Sequence, residues 1–136
     1  MRNILLIGIT IILAACGSDV VSLPSTPTSI SGSYQLRTVD GHDLPALVLE
    51  VGEYQASLLS GTLTLNANST YTFEFNVRLD ETGNPRTTTV SEAGSWNLTR
   101  DSITLAATAG AVARTGTVSG NVITLESSNI TMVLRK

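Results

Sequence analysis

The chain has 136 residues, a net charge of −3 and 14% charged residues, which suits a single exported domain rich in strands and turns. Its basic residues form no cluster, and this excludes a nucleic-acid interface. One cysteine and one histidine are too few for an internal disulfide or for a structural zinc site of the usual kind, and no cofactor is predicted.

The N-terminal segment has the pattern of a secretory signal. Arg2 precedes an apolar run over residues 4–15 that is too short to cross a bilayer. The run ends in Leu13–Cys16 (LAAC), which resembles the lipobox of bacterial lipoproteins. The resemblance implies that residues 1–15 are removed as a signal peptide and that Cys16 is lipidated, with palmitate as one acyl group. The alternative is an ordinary Cys16 thiol at the end of an N-terminal core helix.

The same resemblance bears on localisation. Gly17 follows the cysteine directly, where an aspartate would signal retention at the inner membrane. The chain is therefore expected to be anchored by lipid to the outer membrane of the bacterial cell envelope. In a Gram-positive host the same segment would imply the outer face of the plasma membrane.

A polar segment follows the predicted anchor. Residues 16–30 contain Pro24, Pro27 and many Ser and Thr residues, which predicts a flexible tether between lipid and domain. A first edge strand over residues 20–23 is the alternative, although the nearby prolines disfavour it.

From Ser31 onward the sequence alternates with period two, which predicts an all-β fold. The clearest case runs over residues 70–80, where Tyr71, Phe73 and Phe75 begin an apolar series that alternates with polar residues. Shorter alternations, separated by turn residues about every ten positions, predict a meandering sandwich or barrel. Residues 44–60 are predicted to form one or two strands, with a short helix as the alternative.

Residues 31–136 also resemble the small lipocalin-like domains of bacterial lipoproteins. The motifs that carry this resemblance are Gly32-Ser-Tyr34, Leu44-Pro45, Gly61-Thr-Leu-Thr-Leu-Asn66, Ser69-Thr-Tyr-Thr-Phe73, Gly94-Ser-Trp-Asn-Leu98, Gly116 to Leu125 and Val133-Leu-Arg-Lys136. The resemblance implies an up-and-down antiparallel β-barrel of about eight strands. It also implies that an aromatic ring on the first strand lies under a basic residue of the last strand, here Tyr34 under Arg135.

The predicted barrel interior is the candidate binding site. An eight-stranded barrel is just wide enough to be filled by side chains or to hold one small ligand, and the sequence leaves both alternatives open. If the barrel is hollow, the large aromatic side chains are expected to contact an apolar ligand. These residues are Tyr34, Tyr71, Phe73, Phe75 and Trp96.

No pattern in the sequence predicts catalysis or a metal site. His42 lies between Asp40 and Asp43, but a polar turn explains these residues better than a carboxylate–imidazole pair. No serine lies in a G-x-S-x-G motif. Asp80 and Glu81 are interpreted as a solvated hairpin tip rather than as a calcium site.

Two functions follow as hypotheses. The first is a lipid-anchored envelope protein whose lipocalin-like domain binds a small apolar ligand. The second is a structural or interaction lipoprotein with a filled core, such as a module for an envelope partner or a protease inhibitor. In both, the membrane is a partner through the lipid, nucleic acid is not, and the protein partner is unspecified.

Overall fold

The computed structural model describes residues 29–110 and 113–136. The predicted signal peptide, the lipidation site Cys16 and the tether up to residue 28 lie outside the described residues. Within those ranges the regular structure consists of strands, and no helix there is long and apolar enough to cross a membrane.

Ten antiparallel strands form the sheet. They are β1 Gly32–Val39, β2 His42–Asp43, β3 Ala46–Val51, β4 Tyr54–Leu65, β5 Thr70–Glu81, β6 Asn84–Thr99, β7 Ser102–Ala107, β8 Arg114–Ser119, β9 Val122–Ser127 and β10 Ile130–Arg135. Strands β4 to β10 follow one another around the sheet, and β1 pairs with both β10 and β4. These eight strands close an up-and-down barrel, which confirms the predicted fold, while β2 and β3 extend it beside β1 and β4.

The alternating pattern forms the core because one face of each strand points into the barrel. On β5, Tyr71, Phe73 and Phe75 are buried, whereas Thr72 and Glu74 between them are exposed. Apolar residues of β1, β4, β7, β9 and β10 fill the same interior. Residues 46–51 and 54–60 form β3 and the first half of β4, so strands rather than a helix occupy this region.

Tight turns join the strands. Asp40 and Gly41 have φ angles of 50° and 79°, and Thr82 and Gly83 have 52° and 80°. Two consecutive positive φ angles are typical of the two-residue turns whose twist matches that of antiparallel strands.

One end of the barrel is filled by buried core side chains, and the described chain enters at this end. Ile30, the last residue of the predicted tether, is buried there, and its carbonyl oxygen accepts a hydrogen bond from Tyr34 Oη at 2.7 Å. Lys136 Nζ lies 5.4 Å from the centroid of the Tyr34 ring and donates to the Ser31 carbonyl oxygen at 2.6 Å.

The predicted contact between Arg135 and Tyr34 is therefore wrong. Leu134 points into the barrel, so Arg135, the next residue, points outward opposite Gln35. Lys136 follows on the inward side and supplies the cation over the ring.

The opposite end of the barrel is open, because the strands differ in length. β7 pairs with β6 only from Gly94 to Thr99, so the first half of β6 extends beyond its neighbour. β3, the first half of β4, the second half of β5 and the first half of β6 form a four-stranded flap on one side of this mouth.

Candidate functional site

A cavity of about 420 Å³ occupies the mouth of the barrel. Its wall is predominantly apolar and is contributed by eight strands and by the β9–β10 turn. The lining residues are Val39, Val48, Leu58, Phe75, Val77, Val90, Glu92, Arg114, Ser127, Ser128, Ile130 and Met132. Cavities of this volume and composition are typical of small-molecule sites in proteins.

An ion pair forms the floor of the mouth cavity. Glu92 lies on β6 directly opposite Phe73, and Arg114 begins β8 directly opposite Leu105, so both side chains point into the barrel. Glu92 Oε1 accepts hydrogen bonds from Arg114 Nη1 and from Tyr71 Oη, the latter at 2.6 Å. The side chains of Glu92 and Arg114 are 13% and 16% exposed, so the pair is largely shielded from water.

Aromatic rings support the arginine from below. The guanidinium carbon of Arg114 lies 5.7 Å from the centroid of the Phe73 ring and 5.9 Å from that of Phe75. The two rings are 4.0 Å apart between centroids and tilted by 36°. A cation over an aromatic face is attracted by the ring's electrons, and this attraction strengthens as water is removed. The rings therefore fix the guanidinium in position beneath the cavity.

The charges of the floor follow from these contacts. Burial raises the pKa of Glu92, but the hydrogen bonds from Arg114 and Tyr71 and the positive charge of Arg114 outweigh it, so this pKa lies below its ordinary value. Burial and the neighbouring Glu92 raise the pKa of Tyr71. At neutral pH the floor therefore holds a carboxylate, a guanidinium and a neutral phenol.

The five predicted ligand-contacting aromatics do not lie together. Tyr34, Tyr71 and Phe73 are fully buried in the packed part of the barrel, and only Phe75 of the five lines the mouth cavity. Trp96 lies near the filled end, where its indole Nε1 donates to the carbonyl oxygen of Asn66 at 3.0 Å. The barrel is thus filled in its lower half and open in its upper half.

Sequence reasoning missed the two charged residues of the floor. A signal for Glu92 exists, because it precedes Gly94 and Trp96 in the same period-two series and so shares their inward face. Arg114 follows the β7–β8 connection, and its inward direction depends on where β8 begins. Arg114 nevertheless precedes Gly116 and Val118 in a period-two series, so the sequence holds a comparable signal for it.

The polar residues considered for catalysis or metal binding lie away from the cavity. His42 is exposed on the two-residue strand β2, and Asp40 lies in the turn before it, where its carboxylate accepts a hydrogen bond from the Thr131 amide at 2.7 Å. Asp80 and Glu81 lie at the tip of the β5–β6 hairpin. Among residues 29–110 and 113–136, no group of three or more potential metal ligands converges.

No family model fits the chain, and no curated protein is detectably similar to it in sequence. Functional inference therefore depends on the barrel and on its mouth cavity.

Proposed function

We propose that this protein is a lipid-anchored protein of the bacterial cell envelope whose barrel binds one small, mostly apolar molecule in the mouth cavity. The observation that carries the proposal is the combination of an apolar wall with a charged, hydrogen-bonded floor. Apolar walls supply affinity, and a few fixed polar groups orient the ligand.

The chemistry of the cavity favours an amphipathic ligand with an uncharged polar group. Val48, Val77 and Ile130 offer apolar contact, while Glu92 and Arg114 lie beneath them. Because the carboxylate already balances the guanidinium, a hydroxyl or amide group fits the floor better than a full charge. A volume of about 420 Å³ lies near the lower end of the range for small-molecule sites, so the ligand is small.

The anchoring part of the proposal depends on the N-terminal segment. The lipobox resemblance at Leu13–Cys16 implies three acyl chains on Cys16, and two or more acyl chains give stable membrane attachment. Gly17 supports transfer to the outer membrane. Binding is proposed rather than catalysis because the two titratable residues lining the cavity, Glu92 and Arg114, are hydrogen bonded to each other.

A second candidate function is an interaction lipoprotein whose barrel is only a support. The packed lower half and the exposed Leu47, Leu49 and Val51 on β3 favour it. In this alternative the mouth cavity stays empty, and contacts are made by the flap.

Native mass spectrometry of the full-length protein, gently extracted from its own host, tests ligand binding. We expect a co-purifying small molecule on the parent and none on Val77→Trp, because the indole would occupy the cavity. Arg78→Trp is the matched control, since Arg78 lies on the opposite face of β5 and is exposed. An empty parent, or a Val77→Trp variant that retains the molecule, would contradict the proposal.

The lipid anchor has a separate test. Cys16→Ser should block lipid addition and signal-peptide removal, which mass spectrometry of the intact chain detects directly. A Cys16→Ser chain that is still processed before residue 16 and fractionates with membranes like the parent would contradict anchoring through this residue.

A further inference from the structure

The first half of β6 is an unpaired sheet edge. Residues 84–92 pair with β5 on one side, and no described strand pairs with them on the other. Asn84 to Ser91 are all exposed, and the edge contains no β-bulge. Long, flat edges of this kind are ready templates for another strand, and proteins usually block them with charges or bulges.

The direction of the backbone groups on this edge follows from the hairpin. Glu81 and Asn84 flank the two-residue turn and pair directly, so even-numbered residues of β6 direct their N–H and C=O groups toward β5. Odd-numbered residues direct theirs toward the free edge. A hydrogen bond to the segment just after β7 agrees with this direction. The carbonyl oxygen of Ala93, an odd-numbered residue, accepts it from the Thr108 amide at 2.9 Å.

Three residues therefore present complete donor and acceptor sets at the edge. They are Thr87, Thr89 and Ser91. Pro85 also faces the edge, where its missing N–H breaks no bond to β5. The side chains of these odd-numbered residues lie on the outer face, as Thr89 Oγ1 donating to Asn76 Oδ1 at 2.8 Å illustrates.

We infer that this edge pairs with the same edge of a second copy of the chain, antiparallel and about a two-fold axis through Thr89. The uncharged stretch from Thr87 to Ser91 is centred on Thr89. Pairing on that axis brings Thr87 opposite Ser91 of the second copy, and hydroxyl-bearing residues are favourable cross-strand partners.

The charged residues that flank this stretch do not oppose self-pairing. Arg86 and Glu92 lie at equal distances from Thr89 along β6, one on each side. The two-fold axis places Arg86 of one copy opposite Glu92 of the other, and because Glu92 is hydrogen bonded to Arg114 inside its own barrel, the axis brings no like charges together. A second copy can therefore pair over the whole stretch from Thr87 to Ser91 without opposing like charges.

The free edge of β3 is less suited to pairing with a second copy. β3 has only six residues, and its register with β4 shifts between Leu47 and Leu49. A β3 edge joined to a β6 edge would also be a head-to-tail contact, which propagates instead of closing into a dimer. The β6 edge is therefore the surface that suits a closed pair.

Cysteine cross-linking in the full-length, membrane-attached protein tests the axis. In Thr89→Cys the two new thiols lie on directly opposite residues, whose Cα atoms are about 5.5 Å apart in a hydrogen-bonded pair. This separation permits a disulfide. We expect most of the protein to migrate as a covalent dimer after mild oxidation, while the parent, which contains only Cys16, gives the baseline.

Thr72→Cys is the matched control. Thr72 is also an exposed threonine on the outer face, but it lies on β5 between two paired strands. The inference fails if Thr89→Cys forms no more dimer than Thr72→Cys. It also fails if Thr89→Cys cross-links instead to a different protein, because the edge would then serve another partner.

A charge swap tests the antiparallel arrangement. Thr89→Cys again reports dimer formation. Thr87→Lys combined with Ser91→Lys places a lysine of one copy opposite a lysine of the other at both positions. We expect the yield of covalent dimer to fall at least fivefold. Thr87→Lys combined with Ser91→Glu places unlike charges there and should preserve it. Equal yields from the two combinations would overturn pairing about this axis.

Discussion

The ammonium group of Lys136 lies over the ring of Tyr34, 5.4 Å from its centroid, so the last residue of the chain covers the first core aromatic. Tyr34 belongs to β1, and Lys136 directly follows β10. The contact therefore joins the two strands whose pairing closes the barrel.

A double-mutant cycle measures this contact. Tyr34→Leu and Lys136→Gln should show a coupling of about 0.5–1 kcal/mol in urea unfolding, the range for a solvent-accessible cation over a ring. Tyr34→Leu with Arg135→Gln is the matched control, because Arg135 points outward. Its coupling should stay below about 0.3 kcal/mol, within additivity for independent sites. Equal couplings in the two cycles would contradict the assignment of Lys136.

Glu92→Gln should alter the dependence of stability on pH. The pKa of Glu92 is lower in the folded protein than its unfolded value of about 4.3, so its charge stabilises the fold above that pH. This stabilisation is lost as the pH falls through the folded-state pKa. We expect Glu92→Gln to cost about 1.5–3 kcal/mol at pH 7, the range for a hydrogen bond to a charged group.

Urea unfolding at pH 7 and pH 3 checks the Glu92 prediction. The deficit of Glu92→Gln relative to the parent should shrink at pH 3. Glu74→Gln is the control, because Glu74 is exposed on the outer face of β5. A deficit for Glu92→Gln that is the same at both pH values would show that the carboxylate charge contributes nothing.

Gly116→Ala should destabilise the barrel through a backbone clash. A Cβ atom built on Gly116 would clash with the carbonyl oxygen of Thr124 on β9. The two strands would have to separate, which predicts a loss of about 1–3 kcal/mol. Thr117→Ala, at the next and exposed position, should stay within about 0.5 kcal/mol of the parent in the same denaturation assay. Equal effects at both positions would contradict close strand approach at Gly116.

Ile30 should act as part of the domain. A chain that begins at Ser31 loses the burial of Ile30 and the carbonyl acceptor of Tyr34 Oη, whereas a chain that begins at Ser29 keeps both. Burial of an isoleucine side chain is worth about 1.5–3 kcal/mol, so the melting temperature of the shorter chain should be several degrees lower. Identical melting curves would mean that this contact adds nothing.

Much of the fold could be predicted from the sequence, because alternation reports which residues share a face. On β5 the predicted inward residues Tyr71, Phe73 and Phe75 are all buried. Alternation over Ile130, Met132 and Leu134 also predicts that Arg135 points outward, and the structure follows this alternation rather than the contact implied by resemblance.

The mouth cavity could not be predicted in the same way. Its position depends on unequal strand lengths, and the polar run Thr87-Thr88-Thr89 that extends β6 lacks an apolar alternation. Which aromatics fill the barrel and which border the cavity depends on depth along the barrel axis. Periodicity reports the inward direction but not this depth, so Phe73 and Phe75 looked equivalent.

Substitutions in the packed half of the barrel and substitutions in its open half affect different properties of the protein. Residues such as Tyr34, Leu63 and Ile123 are fully buried below the floor, and changes there act on folding. Val48 and Val77 border the cavity and are only partly buried, so changes there can alter what the mouth accepts with little effect on the core. Under the proposed binding function, substitutions at the rim change what the barrel binds while its stability stays within working limits.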